Sequence, residues 1–293
     1  MFRPVLAPGL QVLRRSRTEL QVGLRPALRL PDTEPVRRTL GRLVRGETVD
    51  DDPETRDVLA ALAPVLVDGA GLVVPDLAPA EVAAIAARDP AGYQARLAAR
   101  RRTRVFVDGS APGAHPEALL EGTGLDVADE VGEASVVLLI RVGEIDRADV
   151  DSLLRASTPH LLVRLVEGAA VLGPFVEPGR TACLRCLDAH RAVDEPLAGV
   201  LVARHLSAAA ERQDGVAEPV DSTLASLAVA WAVRDLLTHA EGDRPSTWSS
   251  TVHLAPTLAT VSRTEWLRHP ACGCSWPQDF GAPDEQVSRT MKL

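Results

Sequence analysis

The stretch SVVLLIRVGEIDRADVDSLLRASTPHLLVRLV, residues 135–166, decides the fold of this chain. It opens with an apolar run at Ser135–Ile140, carries apolar residues at helical spacing over Asp146–Ala156, and closes with a second apolar run at His160–Val166. Short apolar runs between turn residues are typical of buried strands, and the segment between them is typical of a helix. Two strands joined in this way predict a βαβ unit with parallel strands.

The residues before this stretch repeat the same order of elements. We expect a strand at Arg104–Gly109 and a helix at Pro116–Leu120. The resulting β-α-β-α-β order predicts an α/β protein whose body, residues 105–293, is a doubly wound parallel sheet of the Rossmann type. The first turn reads Gly109-Ser-Ala-Pro-Gly113, which lacks the second glycine of G-x-G-x-x-G. Pro112 also removes a backbone donor, so we expect no nucleotide site there and call this Rossmann-type domain degenerate.

Four cysteines follow the sheet, in the two close pairs Cys183-Leu-Arg-Cys186 and Cys272-Gly-Cys274. Two close pairs separated by a long interval are typical of a structural zinc site, in which four thiolates fill the coordination sphere and leave no position for substrate. We therefore predict that all four are zinc ligands. Two disulfides, or thioredoxin-like redox pairs, are the alternatives.

The segment that leads into the first pair carries a resemblance. VLGPFVEPGRTACLRCLDAHR, residues 171–191, resembles the zinc-edge signature of the ThiF-like cyclodehydratase partner proteins of thiazole/oxazole-modified microcin pathways, which belong to the superfamily of ubiquitin-activating-type adenylating enzymes. The resemblance implies an N-terminal winged-helix module that recognises leader peptides, a ThiF-like body, and a C-terminal cysteine pair that closes the zinc site. It also implies a role in bacteriocin biosynthesis: this chain would present a precursor peptide to a YcaO enzyme, which holds the ATP.

The N-terminal residues favour such a module. Residues 11–30 alternate apolar with polar side chains and are interrupted by Gly23 and Pro26, which predicts a hairpin of two short strands. Apolar residues at helical spacing predict helices at Glu34–Arg45 and Pro53–Val67, and a strand is expected at Leu72–Val74. This order predicts a winged-helix-like domain over residues 1–78, followed by a helical connector over residues 79–104.

The charge of this N-terminal region differs from that of the whole chain. Residues 1–48 contain ten arginines and four acidic residues, a balance of 10 − 4 = +6, whereas the chain has a net charge of −8. We expect an acidic leader peptide to add as a strand to the edge of the hairpin. The arginines that would attract it are Arg14, Arg15, Arg17, Arg37 and Arg38. A solvated arginine-rich face and a nucleic-acid-binding winged helix are the alternatives.

No catalytic residue can be assigned. Adenylating enzymes need a glycine loop and cationic side chains over the phosphates, but this chain lacks the loop and its only lysine is Lys292. We therefore expect no catalytic activity of its own, with a ThiF-like adenylyltransferase or a thiol-redox protein as the alternatives. His190 and His269 lie near the cysteine pairs, and we expect them beside the metal or at the surface rather than among its ligands.

The C-terminal part adds one long helix, predicted at Asp221–Ala240, and a last strand at about residues 247–263. Three tryptophans, Trp248, Trp266 and Trp276, flank that strand and the second cysteine pair, where they would form a local core or a partner surface.

Composition places the chain among ordinary globular proteins. It has 293 residues, of which 46% are hydrophobic and 25% charged. No apolar stretch is long enough to span a bilayer, and the N-terminus lacks the apolar core of a signal peptide, so we expect a cytoplasmic protein. The resemblance adds a homodimer as a possible assembly.

Overall fold

The structure is a computed structural model that describes residues 2–25, 27–210, 216 and 218–274. It divides into two compact units. The first comprises Met1–Arg104, Glu117–Val127 and Leu237–Asp243, and the second comprises Val105–Pro116, Ala128–Leu236 and Arg244–Leu293. The domain boundaries predicted at residues 78 and 104 stay predictions.

The residues of the first unit up to Arg104 form two small antiparallel sheets and the helices α1 to α4. Strands β2, β3 and β4 form one sheet in that order, and β1 pairs with β5 in the other. The apolar faces of β3, β4, α1 and α2 share one core, which includes Leu20, Leu30, Leu40 and Leu62. The elements are β1 (Pro4–Leu6), β2 (Val12–Arg14), β3 (Glu19–Val22), β4 (Leu28–Pro31), α1 (Glu34–Arg45), α2 (Pro53–Leu62), β5 (Leu66–Asp68), α3 (Pro79–Arg88) and α4 (Tyr93–Arg100).

Both helices predicted in the N-terminal region are present, but the strands differ from the prediction. Residues 11–30 form three strands, because the chain also turns between β2 and β3. The second helix ends at Leu62, before Pro64, which has no N–H to continue it. The strand expected at Leu72–Val74 is wrong: the strand lies at Leu66–Asp68, where β1 provides a partner, and Val73 is 87% exposed.

The rest of the chain is organised around a seven-stranded sheet with the order β12-β11-β10-β9-β8-β6-β7. Its central strands β8 and β9 are almost completely buried. The elements are β6 (Arg104–Asp108), α5 (Pro116–Leu120), β7 (Asp126–Val127), β8 (Val136–Val142), α6 (Arg147–Arg155), β9 (His160–Val166), β10 (Ala169–Val176), α7 (Leu184–Asp194), α8 (Ala198–Ala210), α9 (Ser222–Ala240), β11 (Ser250–Leu254) and β12 (Val261–Glu265).

The predicted βαβ pattern is confirmed for three strands, because β6, β8 and β9 are parallel. Beyond β9 the sheet is antiparallel, through β10, β11 and β12. The fold is therefore mixed α/β rather than a fully parallel doubly wound sheet. The single last strand predicted over residues 247–263 is also wrong, because β11 and β12 form a hairpin around Pro256.

Among the residues that the structure describes, none of the helices combines the length and the apolar character needed to cross a membrane.

Candidate metal centre

The four cysteines come together in the second unit, as the sequence predicts. Their Sγ atoms all lie within 4.8 Å of one another. The shortest separations are 3.3 Å between Cys186 and Cys274, 3.4 Å between Cys183 and Cys272, and 3.7 Å between Cys183 and Cys186. A disulfide would bring two sulfurs to about 2.0 Å, so all four thiols are free in this arrangement. Four thiols at such distances could hold one metal ion.

The first pair is placed by the start of α7. Cys183 is the N-cap residue, and Cys186 lies one turn further on, so both side chains are on the same side of the helix and buried. The Ser249 hydroxyl accepts a hydrogen bond of 2.9 Å from the backbone N–H of Ala182. This bond holds the residue that directly precedes Cys183.

The second pair is placed by a short 3-10 turn at Pro270–Cys272. Gly273 follows with a φ of 71°, a left-handed conformation that glycine adopts without steric cost. This reversal allows two cysteines only two residues apart to reach the same cluster. It explains how the tight Cys-x-Cys spacing replaces the usual Cys-x-x-Cys in the second pair.

The thiols influence one another's protonation. Hydrogen bonds from Cys183 and Cys274, with another from the His269 backbone N–H at 3.3 Å, lower the pKa of Cys186. Burial raises the pKa of Cys272 to about 12, and the hydrogen bonds of Cys183 to Cys186 and Cys274 raise the pKa of Cys183. The cluster therefore stabilises one thiolate, on Cys186. Binding of a divalent metal would release the remaining protons.

The two nearby histidines make other contacts. The Nε2 of His190 lies 2.9 Å from the Leu267 carbonyl oxygen, and the Nδ1 of His269 accepts a hydrogen bond of 3.2 Å from the Ala271 N–H. The two rings pack edge to face with their centroids 4.8 Å apart. Both histidines thus support the turn that carries the second cysteine pair.

A second polar cluster lies where β6 and β8 end, at the position of a Rossmann nucleotide loop. Gly109 has a φ of 98°, and a Cβ there would lie 2.0 Å from the Ile140 carbonyl oxygen. The guanidinium of Arg141 donates to the Asp108 carboxylate at 2.9 Å and to Asp149 at 3.3 Å. Helix α5, which follows this turn, has only five residues.

Sequence reasoning missed a buried ionic cluster at the ends of β8 and β9. Arg164 is 1% exposed and donates to both carboxylate oxygens of Glu144, at 2.9 and 3.1 Å. Arg147 donates to Glu144 and makes two hydrogen bonds of 2.8 Å to Asp188, which joins α6 to α7. A charged residue inside an apolar strand was the available signal, because Arg164 interrupts LLVRLV.

The five arginines predicted to contact a peptide lie in the first unit, but only two of them line a common groove. Arg14 and Arg37 line it, while Arg15, Arg17 and Arg38 do not. Several of the positive charges are paired locally. Arg37 contacts Asp32 at 2.6 Å, Arg14 reaches the same carboxylate at 3.5 Å, and Arg15 pairs with Glu19 at 3.4 Å.

No protein-family model and no curated protein matches this sequence. Solved structures are similar to it. The heterocyclase TruD has a TM-score of 0.70 and 20% identity over 94% of this chain, and a heterocyclase in complex with substrate and cofactor has a TM-score of 0.68 and 18% identity over 92%. This chain spans only 43% and 39% of the length of those two chains.

A third similar structure is E. coli MccB in complex with AMPCPP and MccA. It has a TM-score of 0.60 and 11% identity, and the match covers 92% of this chain and 98% of MccB. The fold expected from the ThiF-like resemblance is thereby confirmed, whereas the winged-helix character of the N-terminal region stays a prediction. The chain has the fold shared by the heterocyclase TruD and E. coli MccB.

Proposed function

We propose that this chain is a non-catalytic scaffold that binds the leader of a precursor peptide and presents it to a YcaO-type modifying enzyme. The observation that carries the proposal is an open groove of about 360 Å³ in the first unit, between the edge strand β2 and helix α1. Its lining residues are Val12, Arg14, Leu20, Arg37, Leu40, Gly41, Val44 and Arg45.

The groove suits an extended peptide. Strand β2 is the outer strand of its sheet and, among the described residues, pairs only with β3, so its other edge is open to a further strand. A peptide added there would obtain affinity from main-chain hydrogen bonds and specificity from side-chain contacts in the groove. The apolar part of the groove includes Val12, Leu40 and Val44, and Val44 is 59% exposed.

Charge at the rim supports an acidic leader. Asp32, whose side chain is 3% exposed, positions the guanidiniums of Arg14 and Arg37, whose side chains are 68% and 50% exposed. Two exposed cations at a groove accelerate the association of an acidic partner more than they strengthen the final complex. Arg15, Arg17 and Arg38 would add to this attraction from outside the groove.

The similar structures support peptide binding, because MccB is described in complex with MccA and a heterocyclase in complex with substrate. We extend this role to the present chain. The heterocyclase TruD is more than twice as long as this chain, so delivery of the peptide to a separate YcaO-type enzyme is part of the proposal.

We also propose zinc as the metal of the four-cysteine site, in a structural role. Tetrahedral zinc binds thiolates at about 2.3 Å, which places neighbouring sulfurs about 3.8 Å apart. The three shortest separations are 3.3–3.7 Å and all lie within 4.8 Å, so the sulfurs need only adjustments of about 1 Å or less. Cys183, Cys186, Cys272 and Cys274 would fill the coordination sphere, so the ion would join α7 to the segment after β12 and take no part in chemistry.

Adenylyl transfer is the second candidate, because MccB, which this fold matches over 98% of its length, is described in complex with ATP and AMPCPP. We favour the scaffold because the turn at Gly109–Gly113 lacks the phosphate-binding pattern and Arg141 already pairs with Asp108 and Asp149 beside it.

The experiment is binding of a fluorescent leader peptide, taken from a short precursor encoded beside this gene, to the full chain, measured by anisotropy. We expect Val44→Asp to weaken binding about tenfold or more, because a carboxylate in the groove removes apolar contact and repels acidic residues. The matched control is Val73→Asp, at a valine that is 87% exposed and does not line the groove. Equal effects of the two substitutions, or preferential binding of duplex DNA, would contradict the proposal.

A further inference from the structure

An open cleft of about 1050 Å³ lies in the second unit, beside the hairpin of β11 and β12. Its volume is at the upper end of the range of about 300–1000 Å³ that is usual for small-molecule sites. It is lined by Arg180, Arg244, Pro245, Trp248, Ser249, Ser250, Arg263, Glu265, Trp266, Leu267, Arg268 and Pro270. None of the functions considered above uses this cleft.

Trp248 is the fixed part of the cleft. Its ring stacks on Phe175, which is completely buried, with the centroids 5.9 Å apart and the planes inclined by 15°. The buried carboxylate of Asp235 accepts hydrogen bonds from the backbone N–H groups of Ser246 and Thr247, at 3.0 and 2.9 Å, and so holds the segment before Trp248. The aromatic surface is therefore positioned before any ligand arrives.

Two guanidiniums approach this ring. The Cζ of Arg180 lies 5.6 Å from the centroid of the Trp248 ring and that of Arg244 lies 5.9 Å from it, distances at which a cation and an aromatic ring attract each other. The guanidinium of Arg244 keeps planar donor groups that can bind a carboxylate bidentately, whereas that of Arg180 already donates to Glu177. An aromatic ring with two associated arginines is thus a prepared site for a carboxylate next to an apolar side chain.

The cleft is strongly cationic on an acidic protein. Four arginines line it against one carboxylate, that of Glu265, although the chain has a net charge of −8. Glu265 pairs with Arg263 at 2.7 Å, and Glu177 pairs with Arg180. Arg244 and Arg268 have no carboxylate partner within the described part of the chain, and Arg268 donates only to the Gly179 carbonyl oxygen. Two charges therefore remain for a ligand.

The lining favours a peptide over a phosphate ligand. Pro245 and Pro270 have no N–H to donate, and no helix of eight or more described residues begins among the lining residues, so the cleft offers no helix N-terminus to a phosphate group. Exposed Leu267, at 79%, adds apolar surface next to the charges. We propose that this cleft binds an acidic segment of a separate protein, with carboxylates on Arg244 and Arg268 and an apolar side chain against Trp248.

Tryptophan fluorescence of the full chain tests this, because Trp248 and Trp266 line the cleft and the described part of the first unit contains no tryptophan. The probe is a synthetic peptide that alternates paired Glu residues with Leu, compared with the same peptide in which Gln replaces Glu. We expect a saturable change with the acidic peptide only, which weakens as salt is raised. The Trp248→Phe variant should lose most of the signal.

The double variant Arg244→Gln and Arg268→Gln should bind the acidic peptide about tenfold more weakly. Arg204→Gln, at an exposed arginine of α8 outside the cleft, should bind normally. Val44→Asp, in the groove between β2 and α1 proposed for the leader peptide, should leave the fluorescence change unchanged. The two proposals are therefore tested independently. The inference is overturned if the Gln peptide binds equally, if the double variant binds as the unmodified protein does, or if duplex DNA or Mg-ATP competes more strongly than the acidic peptide.

Discussion

At the scale of single residues, Arg164 shows how one buried charge constrains its neighbours. Its guanidinium is 1% exposed in the middle of β9, and its Nε and Nη2 have no partner within the described residues. Burial lowers the pKa of Arg164, and the Glu144 carboxylate opposes that effect. Removing one partner of such a pair leaves an uncompensated charge in a low-dielectric environment, which costs more than the pair itself contributes.

Glu144→Gln should therefore lower the free energy of unfolding by about 3 kcal/mol at pH 7. The burial of Glu144 would raise its pKa, but the positive charges of Arg164 and Arg147 outweigh this and lower the pKa below 4.5. The native state thus favours the ionised form, so the contribution is present above pH 4.5 and is lost as the pH falls through the lowered pKa. Urea unfolding at pH 7 and below pH 4 measures both effects. Glu130→Gln, at an exposed position, is the control, and an equal loss in both variants would contradict this account.

The cysteine cluster makes a second prediction at this scale. Cys272→Ser should reduce the zinc content from about one ion per chain to near zero and lower the free energy of unfolding by about 4 kcal/mol, because a structural zinc ion contributes directly to folding. Metal analysis and thermal unfolding measure the two effects. His269→Gln should retain the metal, since its ring bonds to the Ala271 backbone. A native protein without metal, whose four thiols react freely, would exclude a zinc site.

At the scale of elements, the sequence predicts what depends on local pattern. Strands β6, β8 and β9 and helices α1, α6 and α9 lie within one or two residues of their predicted bounds, because the strands are continuous apolar runs and the helices have apolar residues at helical spacing. Strand β10 was not predicted, since Gly173 and Pro174 interrupt it. Its place depends on β11, because a Cβ on Gly173 would lie 2.3 Å from the Ser250 carbonyl oxygen. Such a requirement for close approach is set by tertiary packing.

The candidate sites also differ in whether their signal is local in the sequence or depends on tertiary packing. The spacing of Cys183 and Cys186 on one turn of helix is a local signal. Their convergence with Cys272 and Cys274 was predicted from the two close pairs, and the structure decides it against two separate disulfides. The cleft around Trp248 could not be assembled from sequence, because Arg180, Arg244 and Arg268 come from separate segments. Trp276, which was predicted to flank the last strand together with Trp248 and Trp266, lies outside the described part of the chain.

Asp235 carries a prediction about elements, because it links α9 to the segment before β11. Its carboxylate accepts hydrogen bonds from the backbone and hydroxyl groups of Ser246 and Thr247. Asp235→Ala should lower the free energy of unfolding by about 3 kcal/mol, since buried donors would be left without an acceptor. It should also red-shift the tryptophan emission, because the released segment would expose Trp248 to water. Asp194→Ala, at the exposed end of α7, should change neither quantity; an equally harmless Asp235→Ala would show that the segment is held by other contacts.

At the scale of the whole molecule, the fold and the function have to be argued separately. The chain shares its fold with MccB, which is described with ATP, and with the heterocyclase TruD. Because one fold can host different functions, the residues of the candidate nucleotide site must decide between an adenylating enzyme and a non-catalytic scaffold. At the ends of β6 and β8 the turn lacks the phosphate-binding glycines. In addition, the chain contains only one lysine, Lys292, to place over a phosphate.

We therefore expect no saturable heat when Mg-ATP is titrated into the full chain up to about millimolar concentration, and no exchange of pyrophosphate into ATP. A phosphate group at the Gly109–Gly113 turn would find few backbone donors, because Pro112 has no N–H and α5 is too short to provide a helix N-terminus. E. coli MccB is the positive control, since it is described in complex with ATP. Micromolar binding by this chain would reassign it as an adenylating enzyme. The groove between β2 and α1, proposed for a leader peptide, would then bind the enzyme's own substrate.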